Sequence, residues 1–205
     1  MKQLVLDISP LPRATLENFV PGENVELLER LRQLVAGSLR ETILYLWGGP
    51  GSGRTHLLYA VARSAPGTRV ADDVQHLDEA GQISLFNAIN EARESGGRVL
   101  AAGDAPPAQL ALRADLRTRL AWGLVYQVKP PGDAGRTDFL RTEAARRGIR
   151  LQDEAIEFLL RRARRDLRSL AALVEDIDRL SLERQRPVTL ALLRDALQPS
   201  VTDHG

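Results

Sequence analysis

The sequence predicts an α/β domain built on a parallel sheet, followed by a small all-helical domain. Short β-branched and aromatic runs alternate with helix-length amphipathic stretches as far as Pro131. Beyond it, only helical periodicity remains. Between the first such run and the next helix lies a glycine-rich turn, "GGPGSGRT" (48–55), the junction where phosphate loops occur. Strands that alternate with helices pair in parallel, since each helix carries the chain back to the starting end of the sheet. The expected division is a tail (1–10), the α/β domain (11–132), the helical domain (133–198) and a second tail (199–205).

Each element has its own signature. Residues 24–38 carry Val25, Leu27, Leu28, Leu31, Leu34 and Val35 at helical spacing, and Gly37 is a plausible stop. "TILYLW" (42–47) reads as a buried strand ending in glycines, and "THLLYAVARSA" (55–65) resumes helical spacing. "TRVADDV" (68–74) is a short strand closing on two aspartates. Residues 80–97 form an amphipathic helix ended by glycines. "RVLAAGDAPP" (98–107) is a buried strand stopped by prolines, and "LVYQVKPP" (124–131) is the last strand. Helices follow at 135–148, 153–164, 166–185 and 189–197, separated by glycine, charge or proline.

Composition narrows the function classes. The chain has 205 residues, 43% hydrophobic and 27% charged, with a net charge of +1, so no strong overall field draws it to nucleic acid or membrane. There is no cysteine, which excludes disulfides and thiolate metal sites, and His56, His76 and His204 show no ligand spacing. No apolar run approaches the roughly 20 residues that cross a bilayer. "MKQLVLDISP" meets Asp7 and Pro10 too early for a signal peptide, so a cytoplasmic protein without membrane partners is expected.

The loop carries the most chemistry. Gly49, Pro50, Gly51, Ser52 and Gly53 let backbone N–H groups turn inward around a phosphate, and the helix opening near Arg54, Thr55 and His56 adds its positive end. Thr55 stands where a hydroxyl would hold Mg²⁺, with Asp72 as a second ligand and Asp73 as a water-polarising partner. Turn or capping aspartates are the alternative. Arg54 occupies the position where such loops carry lysine; only Lys2 and Lys129 among 28 basic residues are lysine, so a chain-wide bias contributes. Its planar fork is bulkier and aimed differently, so phosphate binding should survive better than hydrolysis. Arg117 and Arg119, beside Trp122, precede a strand; they suit a phosphate on a neighbouring subunit or a solvated surface. "RRARRDLR" (161–168) suits a solvated helix face or DNA phosphates.

Together these motifs resemble the AAA+ ATPases, in the replication-initiator branch of DnaA, and within it the Hda family of DnaA-related regulatory inactivators. "LYLWGGPGSGRTHLLYAV" resembles Walker A, "VADDVQHLD" Walker B, "LAAGDAPPAQL" the sensor 1 strand and "RDLRSLAALVEDIDRLSL" the sensor 2 helix. "LRTRLAWGLVYQV" resembles the arginine-finger segment, and "QLVLDI" (3–8) resembles a sliding-clamp-binding peptide. The resemblance implies an AAA+ sheet domain with a helical lid. It makes Arg119 a finger acting in trans, puts Asp104 and Arg168 at the nucleotide, and makes Gln3, Leu4, Leu6 and Ile8 clamp anchors. ADP or ATP is the implied cofactor, with Mg²⁺ possible. The implied partners are DnaA, the DNA polymerase III β sliding clamp and, through the clamp, DNA; a homo-oligomer is also possible. Two departures stand out. The family fits another strand and helix between the Walker A helix and the next strand, where this chain has only residues 66–69, and no DNA-reading helix-turn-helix follows residue 198.

The expected function is a regulatory adaptor that docks on the DNA-loaded clamp and promotes ATP hydrolysis by DnaA, preventing re-initiation, with little ATPase activity of its own. The alternatives are a self-sufficient ATPase of the helicase-loader or clamp-loader type, and a nucleotide-independent DNA-binding or scaffold module.

Overall fold

A computed structural model describes residues 14–162, 166–186 and 188–197. The clamp-peptide residues Gln3, Leu4, Leu6 and Ile8 lie outside the described residues. The described chain forms two compact units. One holds Asn24–Val128 with the segment before it up to Phe19; the other holds Val20–Glu23 and the chain from Lys129 onward.

The first unit runs α1 (Val25–Val35), β1 (Ile43–Trp47), α2 (Arg54–Ser64), β2 (Thr68–Ala71), α3 (Glu79–Ser95), β3 (Arg98–Gly103), α4 (Ala114–Leu120) and β4 (Leu124–Gln127). The four strands are parallel in the order β2-β3-β1-β4. Side chains alternate across β1. Leu44 and Leu46 pack with α1 and α2 on one face through Leu28, Leu31, Leu57 and Val61, while Ile43 and Tyr45 pack with α3 and α4 on the other through Ile89, Leu116 and Leu120. The two inner strands are thus covered on both faces, as parallel sheets require.

Two sequence expectations are corrected. The strand expected over 68–74 ends at Ala71; Asp73 has a φ of +45°, which no extended strand accommodates, and a single turn of 3₁₀-helix, Val74–His76, follows. The stretch read as plain approach to the last strand holds α4, a seven-residue helix whose Leu116 and Leu120 are fully buried one turn apart. Only Ala65–Gly67 join α2 to β2, so β2 forms one edge of the sheet with Val70 exposed. At the start of β4, Gly123 is pressed against β1: a Cβ there would come within 1.9 Å of the Ile43 carbonyl oxygen.

The second unit contains α5 (Asp133–Arg146), α6 (Asp153–Arg162), α7 (Leu167–Arg184) and α8 (Leu190–Leu197) around Leu140, Ala144, Ile156, Leu159, Leu170, Val174, Ile177 and Leu193. One buried acid, Glu143, accepts hydrogen bonds from Arg146 and Arg147, and Arg147 reaches on to Glu175 and Asp178 of α7. Among the described residues no helix is long and apolar enough to cross a membrane.

Candidate phosphate site and arginine platform

The loop after β1 leaves the carboxyl end of an inner strand, where open parallel sheets place their ligands. Its backbone depends on glycine. Gly51 and Gly53 have φ of +76° and +100°, and a Cβ on Gly53 would lie 2.7 Å from the Phe19 ring. A Cβ on Gly48 would meet the Val128 carbonyl oxygen at 2.5 Å, whereas nothing lies within 4 Å of one on Gly49. The loop is packed beneath and open above. Gly53 leads directly into the eleven-residue helix α2, whose first N–H groups face the turn.

Two polar atoms here are buried without a hydrogen-bond partner among the described residues: Ser52 Oγ and Arg54 Nη1. Ser52 is 2% exposed. An anion above the loop would accept hydrogen bonds from both, which is the usual resolution of orphaned buried donors beside a helix N-terminus. The residues therefore fit a diphosphate.

The acids follow β2, on the far side of β3 from the loop, and each has one oxygen engaged. Arg54 Nη2 stands 3.6 Å from Asp73 Oδ1, a contact of charges beyond hydrogen-bond length. Gln75 Nε2 donates to the same oxygen at 3.1 Å, and Gln75 Oε1 accepts from the Asp104 backbone N–H at 3.2 Å. Asp72 Oδ1 accepts from the Asp73 N–H at 2.9 Å. Arg54, Asp73, Gln75 and Asp104 thus form one chain linking α2, the turn after β2 and the end of β3. Beneath it Tyr45 donates to the Ala105 carbonyl at 2.9 Å; burial pushes its phenol far above the ordinary range, Arg54 opposing and Asp104 reinforcing the shift.

Thr55 is exposed at the head of α2. His56 turns away from the loop, its Nε2 donating to the Thr15 carbonyl at 2.9 Å, with its ring beside Phe19. Arg168 is exposed in the first turn of α7, in the second unit. Of the 161–168 arginines, Arg161 pairs with Glu157 of its own helix and Arg162 lies over Phe158.

Arg119 belongs to the other end of the sheet. It precedes β4, which begins opposite Leu44 near the start of β1, while the loop follows Trp47 at the end. Its guanidinium is half-buried. It lies 3.5 Å over the Trp122 ring and 5.1 Å over Phe86, and its Nε donates to Asn90 Oδ1 at 2.9 Å. Arg93 approaches the same indole at 4.8 Å. Asn90, Arg93, Glu94 and Arg119 line an open cleft of about 540 Å³. Sequence reading missed Gln75, Asn90 and Phe86. Phe86 and Asn90 are one turn apart on α3, so their shared face was available as a signal; Gln75 gave none, because its role depends on the turn at Asp73.

Comparison with known proteins bears on the family and the fold. Residues 133–197 match the family described as Hda, lid domain. An uncharacterized protein of Haemophilus influenzae is 31% identical over 96% of this chain and 98% of its own length. That alignment spans 228 residues, longer than this chain, so the relative has positions without a counterpart here. Domain III of the Thermotoga maritima replication initiation protein DnaA superposes with a TM-score of 0.76 at 25% identity, covering 93% of this chain and 100% of that one. AMPPCP-bound DnaA from Aquifex aeolicus superposes with a TM-score of 0.70 at 23% identity, covering 85% of this chain and 69% of that one.

Proposed function

We infer, from a chain that belongs to the Hda-like, DnaA-related AAA+ proteins, that it is a regulatory adaptor whose own nucleotide is held rather than turned over. It binds ADP or ATP at Gly49–Thr55, docks on the sliding clamp through Gln3, Leu4, Leu6 and Ile8, and presents Arg119 to the triphosphate of DnaA. An arginine supplied across an interface stabilises charge developing on the transferred phosphoryl group. Hydrolysis of that partner's ATP prevents re-initiation of replication.

The observation that carries this reading is the position of Arg119. It stands beyond the start of β1 and β4 while the chain's own loop lies at their ends, several residues of extended strand away at about 3.3 Å each. It serves a phosphate outside its own unit or none. The rival reading as a self-sufficient ATPase is weakened at Arg54, which engages the acid that would polarise water.

The test is DnaA hydrolysis in the presence of DNA-loaded clamp. Arg119→Ala should lower the stimulated rate by on the order of a thousandfold while clamp capture and nucleotide content stay intact. Replacing Gln3 and Leu4 by Ala should remove stimulation together with clamp capture. Stimulation that survives Arg119→Ala removes the finger from this residue and points to Arg117.

A further inference from the structure

The chain that starts at Arg54 carries an inference that rests on the nucleotide-holding reading above and narrows it. We propose that this site takes a nucleoside diphosphate without a divalent cation: Arg54 supplies the positive charge at the phosphates and, 3.6 Å from the half-exposed Asp73, offsets the carboxylate charge that a metal would need. The guanidinium lies almost buried near the acids. Its side chain is 11% exposed, with Nη2 at 3.6 Å from Asp73 Oδ1 and Nη1 buried without a partner among the described residues. A planar fork with five N–H donors serves two acceptors on different sides, which a single ammonium on a flexible stem does less well. Nη2 faces the acid and Nη1 has hydrogen-bonding capacity left for a phosphate oxygen. The acids have less to offer a cation. Asp73 Oδ1 accepts from Gln75, and Asp72 Oδ1 accepts from the Asp73 N–H.

The roles separate in a titration of a fluorescent ADP analogue into the purified full-length protein, in EDTA and in millimolar Mg²⁺. Wild type should bind with affinities that agree within about twofold in the two buffers, since a guanidinium needs no metal to hold phosphate. Arg54→Lys should bind at least about tenfold more tightly with Mg²⁺ than in EDTA, because the ammonium leaves Asp73 free. Asp73→Asn should tighten metal-free binding severalfold by removing a negative charge beside the phosphates. Wild-type binding that needs Mg²⁺ overturns the proposal and leaves the nucleotide-holding reading standing. Weaker metal-free binding by Asp73→Asn also overturns it, since loss of a like charge beside the ligand predicts the opposite sign. No wild-type binding in either buffer, by a protein whose circular dichroism is that of a folded chain, overturns both.

Discussion

Single residues decide whether the loop is a cradle or only a turn. Gly53 combines a φ of +100° with a Phe19 ring atom 2.7 Å from where a Cβ would stand. Gly53→Ala should therefore cost about 1–3 kcal/mol in stability and also spoil the phosphate site. Thermal denaturation with and without ADP checks both: a lower midpoint, and loss of the ligand-induced rise. The glycines and the spacing to Arg54 were legible in the sequence because backbone freedom is a property of residue type. The direction in which Arg54 and His56 turn was not. Both side chains answer to partners distant in the chain: Asp73 for one, Thr15 and Phe19 for the other. The same holds at Arg119, whose neighbours Phe86 and Asn90 come from a different helix.

Among the elements, strong periodicity was easy to read and short pieces were not. α1 and α7 have buried stripes at regular spacing, and β1 and β3 are apolar because both their faces are covered. α4 escaped because seven residues give barely two turns of pattern. β2 was drawn too long because the apolar run before Asp72 does not reveal the left-handed residue that ends it. In the second unit the cohesion of α5 with α7 can be tested at Glu143. This acid is 5% exposed and bonded to two arginines, one of which, Arg147, is held by two more acids. Glu143→Ala should cost about 2 kcal/mol, below the roughly 3–5 kcal/mol of orphaning a fully buried ionic partner, because Glu175 and Asp178 remain beside Arg147. Arg146→Ala, altering a half-exposed partner, should cost less than about 1 kcal/mol. Urea denaturation of the two variants checks the order.

For the molecule as a whole, charge sets the expectation for DNA. A net charge of +1 provides little long-range attraction, and the described arginines at 161 and 162 are taken up by their own helix. Without the clamp, a labelled duplex at physiological salt should bind with a Kd of about 100 µM or weaker; fluorescence anisotropy across a salt series measures it, and a tight, steeply salt-dependent isotherm would restore a nucleic-acid face. The fold class was evident from the alternation of strands and helices. The pairing order was not, since it depends on which crossover covers which face. That order has a further meaning in the tight fit of Gly123 against Ile43. The helix carrying Arg119 leads through Gly123 to the start of β1, and the candidate phosphate turn leaves the end of that same five-residue strand. A methyl group at position 123 would thus alter the span between the two chemistries while touching neither, and an inactive variant could arise from a residue that owns no functional group at all.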